Sequence, residues 1–299
     1  MRTFLAIVDR GSLTAAAAAL GRAPPSVVRT LAVLEAELGV RLLARTTRRM
    51  SLTAEGRAYL ERCRRILADV EEAERALLDA DAEPRGELRV TAPVLFGQRH
   101  VAPGVVELVR RHPGLRVELL LLDRVVDLVD EGLDASVRIG RLPDSSLTAV
   151  AVGEVRRVVV ASPALLRRHG APGHPSELAA LPCVEHRGPG AGRWAFREGE
   201  RGREIAVRVR GAFACNQATA VVQACAAGLG FGRVLSYQVQ PEVQAGALRV
   251  VLEAFEPPPL PVQIVYPSAR HASPRLRAFV AFLKEQLRER PEIRGKRAR

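Results

Sequence analysis

Up to about residue 78, apolar side chains recur every three or four positions, the spacing of one helix face; after Gly86 they gather in short runs, as buried strands do. In the front part, the stretch GSLTAAAAALGRAPPSVVRTLAVLE (11–35) places Ser12 before a run of alanines that ends at Leu20 and Gly21. Ser12 is an N-cap residue, the alanines are strong helix formers, and glycine tolerates the left-handed turn that stops a helix. Small side chains let a second helix cross closely. That second helix is predicted to begin near Pro24, where a fixed φ suits the first helical position and the missing N–H would have had no partner. Ala23 offers no capping oxygen. Val27, Leu31, Leu34 and Leu38 mark its inner face, and a step of about 100° per residue then puts Arg29 opposite, with Pro25, Ser26 and Val33 beside it.

Residues 40–53 supply two short β-prone runs around Arg45, Arg48 and Arg49, and Thr53 is placed to cap a long helix. An exposed helix face with one arginine near its start suits the major groove of DNA, and an arginine-rich wing beside it suits the phosphate backbone. Along the long helix Leu60, Cys63, Leu67, Val70 and Leu77 alternate at three and four, which predicts pairing with the same helix of a second subunit. Tyr59, Ile66 and Ala73 form a second apolar edge, so a helix lying on its own domain is the alternative. AEPRG (82–86) closes this segment as a hinge.

The rear part reads as alternating elements: ELRVTAP a strand, FGQRHVAPGVVELVRRHP a helix, LRVELLLL a strand, DRVVDLVDEGL a helix, DASVRIG and EVRRVVVASP strands. Looser repeats follow in CVEH, REIAVRVR, AFACN, a helix over 217–228, LGFGRVL and LPVQIVYP. This order predicts an α/β fold with mostly parallel sheets. Two lobes joined by strands crossing near Ala161 and Val265 would enclose a cleft. A final helix, SPRLRAFVAFLKEQL, should pack through Leu276, Phe279, Val280 and Leu283.

Charge sharpens this division. The formal net charge is +12, almost all of it arginine, with lysine only at Lys284 and Lys296. Residues 1–58 hold nine arginines against four acids, whereas residues 59–85 hold five against eight, so the basic character belongs to the front module. No apolar run approaches the ~18 residues of a membrane span, and FLAIV is too short for a signal peptide, so the expected location is cytoplasmic with no membrane partner. Cys63, Cys183, Cys215 and Cys225 form no metal or redox motif and are expected as reduced structural thiols. The six histidines are scattered and no Ser/His/Asp order appears; neither an enzyme, a metal nor a cofactor is expected. GLGFG (228–232) lies between helix and strand, the reverse of a phosphate loop.

The motifs at the front resemble one family. F-x-x-I-V at Phe4–Val8, G-S-L-T-A-A-A at 11–17, V-x-R at Val27 and Arg29, L-E-x-E-L-G-V-R-L-L at 34–43, R-T-T-R at 45–48 and L-T-x-E-G at 52–56 resemble the winged helix-turn-helix of the LysR-type transcriptional regulators. The resemblance implies a DNA-binding domain at 1–58, a dimerisation helix and hinge at 59–85, and a two-lobed effector-binding domain like periplasmic solute-binding proteins at 86–290; the basic end, RPEIRGKRAR, reads from its composition as a disordered tail at 291–299. The implied partners are double-stranded DNA, a small-molecule effector, and a second copy of the chain in a dimer or larger assembly.

On that resemblance Pro25, Ser26, Arg29, Thr30, Arg45, Arg48 and Arg49 are the expected DNA contacts. Thr91, Pro93, Arg138, Ile139 and Asn216, at strand ends, are the expected effector contacts, with Asn216 as a plain helix cap and Arg138 as a lobe-to-lobe strut as alternatives. The chain departs from the family in a short first helix, in Ala23-Pro24 where Ser and Gln are common, in Val28 where Ser or Thr is common, and in Arg233-Val234-Leu235 where a proline is usual. The competing reading is a solute-binding or enzymatic α/β protein whose front segment serves only oligomerisation.

Overall fold

The computed structural model describes residues 1–45, 50–78, 83–141, 147–187, 192–199, 202–268 and 273–294. The chain divides into two compact units, Met1–Ala82 and Glu83–Arg299.

In the first unit, α1 (Arg2–Arg10) turns Thr3, Phe4 and Ile7 inward and stops at Gly11 in the left-handed region. Ser12 caps α2 (Leu13–Ala19) by accepting from the Ala15 N–H at 3.4 Å. Ala16 and Ala17 are buried where α2 meets the rest of the core. The next helix, α3, runs Pro24–Leu38 with both prolines in its first turn and no side-chain cap on Ala23. Val27 and Leu31 are buried and Leu34 half-buried. Leu38, expected inside, is 40 % exposed, because the helix ends at Gly39 beyond the edge of the core.

Strands β1 (Leu43–Arg45) and β2 (Met50–Leu52) pair antiparallel. Glu35 holds the approach to β1, its carboxylate accepting from the Leu42 and Leu43 N–H groups at 2.8 and 3.1 Å. The long helix α4 spans Ala54–Leu78 and is capped by Thr53, whose hydroxyl accepts from the Gly56 N–H at 2.9 Å. A Cβ on Gly56 would overlap the Leu42 carbonyl, so this helix start and the wing touch through backbone. Leu60 and Cys63, expected on a pairing seam, instead close the core with Phe4, Ile7, Val27 and Leu31. A 3/4 alternation marks a buried stripe without saying what covers it.

In the second unit the order is β3 (Gly86–Ala92), α5 (Val94–Phe96), a π turn over Gly97–Val101 that leads into α6 (Ala102–Arg111), β4 (Leu115–Leu121), β5 (Ala135–Ile139), β6 (Leu147–Val155) and β7 (Arg157–Ala161). There follow α7 (Pro163–His169), β8 (Cys183–His186), β9 (Arg193–Arg197), β10 (Glu204–Arg208), β11 (Gly211–Cys215), α8 (Ala218–Ala226), β12 (Phe231–Leu235), α9 (Ser236–Gln244), β13 (Arg249–Val251), β14 (Leu260–Pro267) and α10 (Pro274–Arg288). One sheet has the order β4-β3-β5-β14-β6 and the other β11-β8-β12-β7-β13, giving two lobes.

Both sheets are mixed rather than mostly parallel: β3 runs parallel to β4 and β5, while β14 is antiparallel to β5 and β6. In the second lobe β8 runs parallel to β11 and β12, and β7 antiparallel to β12 and β13. The chain crosses between lobes at Arg156, between β6 and β7, and again between β13 and β14. Ala161 and Val265, expected at the crossings, sit inside β7 and β14.

The predicted helix at DRVVDLVDEGL is a series of turns. Asp127 explains the difference: its carboxylate accepts from the Val129 and Asp130 N–H groups at 2.8 and 3.1 Å, a local bond that competes with helix. REIAVRVR folds onto β9 as the antiparallel hairpin β9–β10. The expected disordered tail is ordered at its start, where Pro291–Ile293 forms a short turn and Ile293 is buried in the first lobe. In α10 the predicted stripe of Leu276, Phe279, Val280 and Leu283 is buried.

Candidate functional site

On α3, Pro25, Ser26 and Arg29 are exposed within the first two turns. Thr30 is half-buried and its hydroxyl donates to the Ser26 carbonyl at 2.9 Å, which fixes that side chain against the helix. Arg29 makes no hydrogen bond or ion pair with any described residue, so its planar fork of donors is free to meet a guanine edge or a phosphate. Arg48, Arg49 and the side chain of Arg45 lie outside the described residues. The frame behind this surface is Glu35, the first Glu of L-E-x-E-L, and Thr53.

Beyond Cys63 the face of α4 changes. Leu67 is half-buried, while Ile66 and Val70 are 45 % and 40 % exposed. The side chain of Leu77 lies outside the described residues.

In the second unit the five expected effector residues differ widely. Thr91 is buried on the interior strand β3, beside Ser136 of β5. Pro93 is half-buried at the start of α5, and Ile139 half-buried at the end of β5. Arg138 donates to the Val126 carbonyl at 2.7 Å, and burial lowers its pKa from the ordinary guanidinium value. That bond stays within the first lobe, so it is no lobe-to-lobe strut. Asn216 is exposed and does not cap α8, whose N-cap is Gln217.

The bond between lobes comes from residues that sequence reasoning missed. Asp123 accepts from the Val94 N–H at 3.0 Å with one carboxylate oxygen, and from the Gln217 amide at 3.1 Å with the other. The first contact places negative charge at the start of the α5–α6 helix, and the second spans the cleft. Arg99 adds a further crossing, donating to the Tyr237 carbonyl at 2.9 Å. A cavity of about 260 Å³ lies between Arg141, the β9–β10 hairpin and the prolines at 257–259. Another of about 340 Å³ lies among Arg156, α9 and Glu292. None of the five expected residues lines either one.

Comparison with known proteins matches this architecture at both ends. A family model described as a bacterial regulatory helix-turn-helix protein of the lysR family covers residues 1–57, and one described as the LysR substrate binding domain covers residues 81–288. The chain belongs to the LysR family. Among similar proteins, an HTH-type transcriptional regulator of Xanthomonas campestris pv. campestris is 36 % identical over 95 % of this chain and 83 % of its own. The HTH-type transcriptional regulator DmlR of Escherichia coli is 35 % identical over 97 % and 94 %. The solved structure of CrgA, a LysR-type transcriptional regulator from Neisseria meningitidis, is 32 % identical, covers 95 % of this chain and 97 % of its own, and superposes with a TM-score of 0.61.

This LysR-family protein is thus a DNA-binding transcriptional regulator with an effector-binding domain. Among the described residues no helix is long and apolar enough to cross a membrane, and no three His, Cys, Asp or Glu side chains are grouped to hold a metal ion. Burial pushes the Cys183 and Cys225 thiols up to about 12, so both stay protonated and poorly nucleophilic at neutral pH.

Proposed function

We propose that this LysR-family regulator reads an operator in double-stranded DNA through the outer face of α3, with Pro25, Ser26, Arg29 and Thr30 at base edges and phosphates. In the same reading Arg45, Arg48 and Arg49 grip the backbone beside it, the outward edge of α4 around Ile66, Leu67 and Val70 pairs two subunits, and a small molecule enters the cleft at Thr91, Pro93, Arg138, Ile139 and Asn216. In this reading the DNA-binding domain is 1–58, the linker and dimerisation segment 59–85, and the effector-binding domain 86–290. The protein acts where the DNA is, in the cytoplasm, and has no catalytic role. The observation that carries the reading is Arg29: exposed, near the start of a helix, and unpaired among the described residues. A ligand in the cleft acts through its different affinity for two arrangements of the assembly.

The test is binding of the purified protein to DNA from its own upstream intergenic region, beside an unrelated duplex, over a salt series. Arg29→Ala should weaken operator binding by about 1–3 kcal/mol and narrow the gap between the two duplexes. Equal binding of both duplexes by the unaltered protein would overturn operator recognition through α3.

A further inference from the structure

We propose that Arg157 and Arg233 form a binding site for a small oxyanion beneath the β9–β10 hairpin. The two arginines lie on neighbouring antiparallel strands, with Leu235 opposite Arg157 and Arg233 opposite Val159. They are therefore diagonal neighbours on one face of the sheet, a spacing of about 7–8 Å between backbones. The same face carries Val159, Ala161 and Phe231, and packs against Trp194 and Phe196 of β9.

Both arginines are half-buried. The guanidinium of Arg233 lies over the Trp194 ring, 5.5 Å from its centroid, and reaches the Ala195 and Arg193 carbonyls only at 3.4 Å. These bonds are longer than the usual N–H···O range of about 2.7–3.2 Å. Arg157 makes no hydrogen bond or ion pair with any described residue. Glu185, on the strand next to β12, gives one carboxylate oxygen to the Gly211 N–H at 2.8 Å and forms no ion pair with Arg233.

Half-burying two like charges is unfavourable unless an anion compensates them, and among the described residues none does. The strain is visible in Arg233, whose pKa falls to about 10 through burial and the nearby charge of Arg157. Two guanidinium forks rising from diagonal positions on one sheet face would each offer paired N–H donors to a carboxylate, sulfate or phosphate group, with the indole under Arg233 as a flat apolar wall. Part-exposure leaves a path for a solute. Neither arginine is among the cleft candidates, so the inference stands apart from the DNA-binding reading.

Trp194 is the chain's one tryptophan, which makes its fluorescence a local reporter. The full-length protein would be titrated with sodium sulfate, sodium phosphate and sodium acetate, with ionic strength held constant by sodium chloride. A saturable change in Trp194 emission is expected, with apparent affinity about tenfold weaker in Arg157→Gln, a variant that leaves Arg233 on the indole. Response to sulfate and phosphate alone would assign an inorganic oxyanion; response to acetate would assign a carboxylate. Arg157→Lys keeps the charge and loses the fork, and should fall between the two, which also supplies the comparison if Arg157→Gln does not fold. No saturable change with any of the three salts, or the same affinity in both variants as in the unaltered chain, would overturn the site.

Discussion

On α3, Pro25, Ser26 and Arg29 stand exposed, and Arg29 bonds to nothing described; in the effector-binding unit Thr91 is buried, Arg138 is bonded to Val126, and Asp123 bridges Val94 and Gln217. The first surface offers free side chains on a fixed frame. The second ties Arg138 and Asp123 to neighbouring groups and leaves Asn216 exposed. DNA brings a dense, fixed array of charge and needs a rigid surface with open donors. A small ligand in the cleft must instead replace bonds the protein already makes, so its net affinity is a difference, and that difference can bias one arrangement of the lobes over another.

The largest effect is expected where the frame of the front unit is tightest. Gly56→Val would drive a branched side chain into the Leu42 carbonyl and part α4 from the wing. A cost of about 3 kcal/mol is expected, enough to lose operator binding. Hydrogen exchange should show lost protection across residues 1–78, while Trp194 emission reports an unchanged effector-binding unit. Joint unfolding of both units would break the comparison, because the frame would then not belong to the front alone.

An acid ramp separates the units next. No histidine precedes His100 in the chain. His100 is buried against Phe96 and Tyr237, and burial lowers its pKa from 6.5 to about 4, with Glu292 pulling the other way. The folded state therefore holds fewer protons than the unfolded state between those values. Stability of the effector-binding unit should fall as pH drops through about 6.5 towards 4, by on the order of 2 kcal/mol at pH 5. His100→Leu should flatten that slope, read from Trp194 melts at several pH values. An unchanged slope would place the acid sensitivity in other groups.

Glu35→Gln tests whether the frame relies on charge. Its carboxylate accepts two backbone N–H groups, and a neutral amide oxygen accepts them more weakly. A loss of about 1 kcal/mol is expected, with weaker DNA binding and an unchanged effect of Arg29→Ala when the two substitutions are combined. A salt slope that changes as well would mean that Glu35 also shapes the phosphate contacts.

These contrasts also divide what could be read from the chain alone. Helix spacing and caps are local, so α2, the Pro24 start of α3 and the Thr53 cap were legible, as was the stripe of α10. Leu60 and Cys63 were misassigned because periodicity marks burial but not the covering partner. Strand runs were legible too, LPVQIVYP matching β14 at both ends. Direction and partner were not: REIAVRVR carries the pattern of a strand whether it joins a parallel sheet or folds back as a hairpin. The cleft was least legible, since Asp123 and Gln217 meet across 94 positions of sequence and neither belongs to a motif.

The smallest effect is the most specific to the cleft. Gln217→Ala removes the exposed amide that reaches Asp123 but leaves the carboxylate on the Val94 N–H. Water can replace the lost partner, so the expected cost is about 0.5 kcal/mol, a shift of roughly 1–2 °C in the melting of a unit this size. Asp123→Ala removes both contacts and uncaps the α5–α6 helix, and should cost about 1 kcal/mol more. The two variants share the loss of the cross-cleft bond and differ in the cap. If that bond biases the lobes, both should change how strongly a cleft ligand alters DNA affinity, and to a similar extent, whereas only Asp123→Ala should show a marked fall in melting temperature. If only Asp123→Ala alters the ligand response, the helix cap governs the cleft, and the contrast between the exposed face of α3 and the bonded cleft rests on Val94 and not on Gln217.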